Sequence, residues 1–306
     1  MVSNPLTDFK LQPFDIQPKD RHAIAVYIPW LNSGGVGEMV FDELVKSLKA
    51  EKIGALERPG YFYDFTSYRP KFHVDNRHNR ILKIPNSEVY YARRDGQSSD
   101  LVLLYLPEPN HYGEDYVDLV LALMEKLSVT RYTIAGAGES EVPHTRPILV
   151  TGQSSDIGLV GKLKRIGVRI SDQYQGPTSI LNTIDLKLQE RGITSVSLSA
   201  NIPFYLHYLP SHLSVREDHM GTFRVLQALS ELEELGIQLD ALETKGNAQY
   251  DQLKKDLSTV LYLDGVKRLE ESYDRYAEEE TTNTVPPLSP DIENFMRGLE
   301  NRFGRN

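Results

Sequence analysis

Residues 100–147 read DLVLLYLPEPNHYGEDYVDLVLALMEKLSVTRYTIAGAGESEVPHTRP. Positions 101–106 form a continuous apolar run. It is far shorter than the roughly 20 residues a membrane helix needs and fits a strand covered on both faces. An acidic turn containing a glycine follows at 108–115. Val117, Val120, Leu121, Met124 and Leu127 then recur at helical spacing. A second short strand, 131–135, ends in Gly136-Ala137-Gly138. This strand–helix–strand unit is the frame around which the other elements can be placed.

The chain has 306 residues, enough for one large α/β domain with a smaller appendage. Its net charge of -9 disfavours a long phosphate-binding surface, and no nucleic-acid partner is expected. With no cysteine, disulfides, thiolate metal sites and a cysteine nucleophile are excluded. The opening MVSNPLTDFKLQP lacks an apolar core of signal-peptide length, and no stretch is long and apolar enough for a membrane helix. A soluble cytoplasmic protein without a membrane partner is the expectation.

Outward from the central unit, residues 1–20 carry three prolines and read as an extended arm, with Phe9, Leu11, Phe14 and Ile16 free to lie on the domain or on another subunit. A strand at 23–28 leads into Pro29-Trp30-Leu31-Asn32-Ser33-Gly34-Gly35-Val36-Gly37 and then a helix with Val40, Phe41, Leu44, Val45 and Leu48 on one face. The aromatic stretch YFYDFTSYRP at 61–70 suits a ligand stack or a packed core. Segments 81–85 and 88–92 are predicted to pair as a hairpin. A strand at 147–151, a helix at 155–167, a helix opened by Gly176-Pro177-Thr178 and ended by Gly192, and a strand at 193–199 continue the alternation. That alternation predicts an α/β/α sandwich on a mainly parallel sheet. The expected organisation is the arm 1–20, a core 21–210, a helical region 211–277, a linker 278–290 and a final helix 291–306.

Several constellations bear on chemistry. Strand, Gly34-Gly35 loop and helix are laid out as in an anion site, but Walker A spacing, its lysine and GxGxxG are absent, and a tight turn is the simpler explanation of the glycines. Glu108, His111, Glu114 and Asp115 lie close in sequence without HExxH spacing, and acids opening a helix suit its dipole. No metal or cofactor is expected. Gly152-Gln153-Ser154-Ser155-Asp156 is not a GxSxG elbow, and Ser155 or Asp156 reads as a helix N-cap. In Val142-Pro143-His144-Thr145-Arg146-Pro147, Arg146 can hold a carboxylate or phosphate, or pair with an acid such as Glu139 or Glu141 to fix the loop.

Taken in order, Phe62-Tyr63-Asp64-Phe65 with Arg69-Pro70, Glu108-Pro109-Asn110, Val142 to Pro147, Thr151-Gly152, Tyr174 to Thr178 and Ile202-Pro203-Phe204-Tyr205 resemble the proteasome assembly chaperone 2 family, bacterial branch, over residues 20–303. The resemblance implies a nucleoside-phosphorylase-like α/β/α sandwich with a helical C-terminal region. It also implies a homo-oligomer, with a trimer favoured by the fold's relatives. It implies no catalytic residue. Members often carry Asp-Ala-Gly where this chain reads Asn32-Ser33-Gly34, which removes a carboxylate from that loop.

The first functional expectation is an oligomeric, non-enzymatic assembly-chaperone-like or scaffold protein. The alternative is a binder or enzyme for an anion or nucleoside-like molecule. It would use Gly34, Gly35, Glu108, Gly136, Glu139, His144 and Arg146, which an open parallel sheet gathers at its carboxyl ends. A proteasome-docking tail of hydrophobic residue, tyrosine and any residue is not expected, since the sequence closes Phe303-Gly304-Arg305-Asn306.

Overall fold

The computed structural model describes residues 8–13, 19–171, 176–211, 213–258 and 263–278. Strands β1 (Phe9–Leu11) and β2 (Asp20–Ile28) lead to helix α1 (Val36–Ser47) and β3 (Glu51–Leu56). Then come β4 (Lys71–Val74), β5 (Arg80–Lys83), β6 (Glu88–Ala92), β7 (Ser99–Pro107), α2 (Gly113–Lys126) and β8 (Val129–Ser140). The remainder is β9 (Val150–Ser154), α3 (Ile157–Arg165), β10 (Arg169–Ile170), α4 (Ile180–Glu190), β11 (Thr194–Pro203), α5 (His219–Glu233), α6 (Asp240–Leu257) and α7 (Leu263–Glu278). Among the described residues no helix is long and apolar enough to cross a membrane.

Nine strands form one sheet in the order β1-β3-β6-β7-β2-β8-β11-β9-β10. Its middle is parallel: β2 runs alongside β7, with Ile24 opposite Leu103, and alongside β8. The 101–106 run lies within β7 and is buried almost throughout, as a strand covered on both faces must be. Beyond this parallel centre, β6, β3 and β1 add antiparallel on one side, and β11 pairs antiparallel with β9 on the other. Helices flank this large sheet, which gives the expected three-layer α/β/α sandwich.

The chain divides into two compact units, Met1–Trp30 with Phe41–Ile134 and Pro177–Ser195, and Leu31–Val40 with Ala135–Gly176 and Val196–Asn306. The first unit has an aromatic core whose hydroxyls satisfy one another. Tyr27 and Tyr132, fully buried, meet hydroxyl to hydroxyl at 2.5 Å. The hydroxyls of Tyr63, Ser87 and Tyr116 form a closed set, and Tyr63 also donates to the Pro107 carbonyl at 3.0 Å. The aromatic stretch at 61–70 therefore supplies core: Phe62 and Tyr63 are buried, and Phe62 meets Tyr116 edge to face. The buried Asp100 carboxylate accepts from Lys19 Nζ, the Tyr91 hydroxyl and the Arg94 N–H.

In the second unit, α5 packs on α6. Gly246 makes this possible, since a Cβ there would stand 2.9 Å from the Met220 backbone. Across from Leu198, Gly152 leaves room for the Ser197 carbonyl, which would lie 2.3 Å from an added Cβ.

One local expectation is corrected. Segments 81–85 and 88–92 do not pair with each other. Instead β5 pairs with β4 in a separate two-stranded sheet, and β6 enters the main sheet between β3 and β7. The reason is a turn at 75–79, where the Asp75 carboxylate accepts from the Arg77 and Asn79 N–H groups. As expected, Gly176-Pro177-Thr178 leads directly into α4, whose N-cap is Ser179 with its Oγ accepting from Leu181 N. Within the helical region, α6 and α7 are separate helices. Within the arm, Phe9 is buried and β1 pairs with β3, so this part of it lies on the chain's own sheet. Phe14, Ile16, Tyr174, residues 279–290 of the linker and the helix expected at 291–306 lie outside the described residues.

Candidate functional site

Six of the seven candidate site residues belong to the second unit, and Glu108 belongs to the first. Glu108 follows β7, where its N–H donates to the Ile28 carbonyl at 2.7 Å. Its Oε1 accepts from the N–H of Ile180 at 3.2 Å, in the first turn of α4. A carboxylate there satisfies one of the orphan N–H groups and complements the helix dipole. The neighbouring acid Asp115 accepts from the Tyr61 hydroxyl at 2.9 Å. Among the described residues no group of three or more His, Asp or Glu is placed to hold a metal ion.

The Gly34-Gly35 loop is closed over by the chain's own residues. Both glycines have left-handed backbone, with φ of 60° and 67°. A Cβ on Gly34 would stand 2.8 Å from Asp218 Cβ, and one on Gly35 would stand 2.7 Å from the Arg216 carbonyl. The Asp218 N–H donates to the Gly34 carbonyl at 2.7 Å and ties the two segments together. Gly136 serves the same loop. Ala137 N donates to the Leu31 carbonyl at 3.1 Å, and a Cβ on Gly136 would lie 2.1 Å from that oxygen.

Glu139 and His144 both reach the 3-10 turn Phe204–Tyr208. Glu139 lies at the end of β8, with Oε1 3.6 Å from His207 Nε2 on a partly exposed surface. His144 is buried. Its backbone N–H and its Nδ1 each lie 2.7 Å from the Tyr205 hydroxyl. The one hydroxyl thus accepts from the His144 backbone and hydrogen-bonds its imidazole at Nδ1. Burial pulls the His144 pKa down to about 4, with Glu270 opposing the shift and Lys254 adding to it. Burial pushes the Tyr205 phenol up. The pair is neutral near pH 7.

Next along the chain, the Thr145 hydroxyl donates to Glu270. Arg146 holds Asp274 with Nε and Nη2, each at 2.8 Å, and reaches Glu270 with Nη1 at 3.3 Å. Hydrogen bonding from Arg146 holds the Asp274 carboxyl below its usual range, and the same bonds push the guanidinium up. The Tyr273 hydroxyl donates to the Pro147 carbonyl at 2.8 Å. Loop 144–147 is thus bonded along one face of α7. The acids that hold Arg146 come from α7, more than a hundred residues away, and not from the nearby Glu139 or Glu141.

Sequence reasoning passed over one buried carboxylate here. Asp218, at 0% exposure, caps α5 by accepting from Gly221 N at 2.7 Å and from the Tyr250 hydroxyl at 2.7 Å. Burial lifts its carboxyl above the ordinary range and lifts the Tyr250 phenol as well. The signal was present, an aspartate directly ahead of an apolar-periodic helix. Asp156, one of the two expected caps, uses the same device: its Oδ1 accepts from Gly158 N at 2.7 Å and caps α3.

With this geometry in view, a match to the PAC2 family spans residues 26–256. The chain belongs to the PAC2 family. A PAC2 family protein of Streptomyces avermitilis has 25% identity and a TM-score of 0.69, over 82% of this chain and 99% of its own. A Mycobacterium tuberculosis proteasome-assembly chaperone homologue has 22% identity and a TM-score of 0.67, over 81% and 99%. A Corynebacterium glutamicum protein of unknown function has 21% identity and a TM-score of 0.73, over 89% and 98%. No curated protein matches the chain.

In this PAC2 chain the motif residues are joints of the fold. The Phe62 carbonyl accepts from the N–H groups of Asn110 and His111, and Asn110 Oδ1 accepts from Asp64 N, so Phe62-Tyr63-Asp64 and Glu108-Pro109-Asn110 are locked together. His144 and Tyr205 join two further motifs in the same way.

Proposed function

We propose that this PAC2 chain is a self-associating, cytoplasmic protein-assembly factor that acts by binding proteins and carries out no catalysis. The observation that carries the reading is its family membership, together with a structural relative named as a proteasome-assembly chaperone homologue. The state of Arg146 supports it. The one guanidinium in the candidate loops suited to an anion already grips Asp274 and Glu270. A ligand phosphate would have to displace a bidentate carboxylate pair to bind there.

The test is removal of the chain from its own cells, followed by size fractionation and mass spectrometry of native complexes. The expected result is that subunits of at least one complex move from the assembled to the free fraction, and that restoring the chain reverses this. An unchanged set of complexes accompanied by accumulation of a small anion or nucleoside would overturn the reading and favour a ligand-directed role for Gly34, Gly35, Glu108, Gly136, Glu139, His144 and Arg146.

A further inference from the structure

The β4–β5 ribbon holds apolar side chains in solvent. Phe72 and Leu82 stand directly opposite each other across the two strands, and alternation puts Val74 on the same face. They are 59%, 57% and 55% exposed, and Ile81 and Ile84 are exposed nearby. A two-stranded ribbon is marginal in water unless its face packs on something. This one is nonetheless well built. Asp75 accepts from the N–H groups of Arg77 and Asn79 at 2.8 Å and from the Asn79 side-chain amide at 3.0 Å, which closes the turn.

Its charge is opposite to that of the chain. Residues 69–83 contain five Lys or Arg and one Asp, a net +4 with histidines neutral, so at an overall -9 the rest of the sequence carries -13. Lys71, Arg77, Arg80 and Lys83 are exposed, and none of them makes an ion pair among the described residues. Lysine on a short strand is an ordinary guard against unwanted edge pairing. It does not account for a phenyl ring and a leucine set opposite each other in water.

We infer that the β4–β5 ribbon is the docking element by which one copy of this chain holds a second copy. The face of Phe72, Val74 and Leu82 is buried on contact, and Arg80, which stands opposite Val74 on that face, with Arg77 of the turn meets the acidity of the second copy. This rests on the self-association in the reading above. Charge selects the occupant. The acidity of the remaining chain repels a phosphate backbone, whereas it makes every further copy a complementary partner.

The test uses the full chain in light scattering across micromolar concentrations. Two double variants are compared with the wild type, Phe72→Ser with Leu82→Ser and Arg77→Glu with Arg80→Glu, since Arg80 stands opposite Val74 on the apolar face and Arg77 lies in the turn beside it. The wild type is expected at a multiple of 34.8 kDa. The apolar variant should weaken association about thirtyfold, as loss of a buried aromatic anchor does. The charge variant should weaken it most at low salt. Both should keep the wild-type circular dichroism, because the altered side chains lie in solvent within one copy, and their melting temperatures should converge with that of the wild type on dilution, where association no longer stabilises it. A photo-crosslinker replacing Phe72 should join two copies of the chain. A wild type found only at 34.8 kDa overturns both this inference and the self-association it rests on. An oligomer that persists unchanged in both folded variants overturns the ribbon assignment alone. So does a crosslink in cells to nucleic acid or to a different protein in place of a second copy.

Discussion

Arg146 holds Asp274 through two parallel hydrogen bonds, Nε to Oδ1 and Nη2 to Oδ2, each 2.8 Å long. The fork geometry is one that a lysine cannot reproduce. Both partners are substantially exposed, so the pair's effect should be local to α7 and not global. Arg146→Ala is expected to speed amide hydrogen exchange in α7 a few-fold while leaving the melting temperature nearly unchanged, and Arg146→Lys should recover only part of the protection. Exchange in α7 that is identical in all three proteins would show that the pair does not hold the helix.

The same occupation of Arg146 bears on ligands. A molecule that binds the native state selectively raises its melting temperature. Phosphate, nucleotides and nucleosides are expected to give no increment with the wild type, since the guanidinium already has two acidic partners. An increment that disappears in Arg146→Ala would return the loop to the ligand-binding reading.

His144 predicts a pH dependence. Its pKa in the fold is about 4, below the ordinary 6.5, so between these values the unfolded chain binds the proton and the folded chain does not. The stability linked to this group is therefore fully present above the unfolded pKa and is lost as pH falls from about 6.5 towards 4. The loss is on the order of 2 kcal/mol at pH 5. His144→Gln removes it, and the wild-type minus variant difference in urea unfolding should shrink by that amount between pH 7 and pH 5. Asp218 and Asp185, whose carboxyls burial shifts upward, act in the opposite sense but are common to both proteins. A difference that does not vary with pH would refute a buried neutral imidazole.

What could be read from the sequence was what local pattern encodes. The apolar run within β7, the helical spacing of α2 and the alternation of strands and helices placed the parallel centre of the sheet. The antiparallel additions β6, β3 and β1 have no local signature, because pairing direction is set by distant segments. The β4–β5 pairing was missed for a related reason. Ile81 and Leu82 look like core in sequence but are exposed, and an apolar pair next to β6 reads as the first arm of a hairpin. At the candidate site, the loop 142–147 was found, but Asp274 lies 128 residues from Arg146 and nothing local to the loop points to it. Asp218 carried a legible capping signal. What the sequence could not convey was its burial under Gly34.

Close approach at Gly136 gives a paired test within one strand. An added Cβ at Gly136 meets the Leu31 carbonyl at 2.1 Å, a backbone atom that cannot swing aside. At Gly138, also in β8, the nearest atom is Ser199 Oγ at 3.7 Å, an ordinary contact. Gly136→Ala should cost about 2 kcal/mol or more, at the upper end of overpacking effects. Gly138→Ala should stay within about 0.5 kcal/mol. Equal effects measured by denaturant unfolding would contradict the close approach of Leu31 to β8.

Asp218 is the densest junction of the second unit. It caps α5, donates its N–H to the loop at Gly34 and accepts from Tyr250 of α6, all with little exposure to water. Asp218→Ala removes the cap, worth about 1 kcal/mol, and strands the Tyr250 hydroxyl in the core, worth about 1–3 kcal/mol. A total loss of about 2–4 kcal/mol is expected. Asn keeps the shape and an acceptor oxygen, and burial already disfavours the ionised acid, so Asp218→Asn should cost no more than about 1 kcal/mol. Tyr250→Phe deletes the donor without leaving an unpaired group on its own ring. Combined with Asp218→Ala, it should cost less than the sum of the two single changes, because the stranded hydroxyl is gone. Urea unfolding of the four proteins and the wild type gives the coupling directly. Strict additivity, or an Asn variant as damaged as the Ala variant, would show that Asp218 does not join the loop, α5 and α6 through these hydrogen bonds.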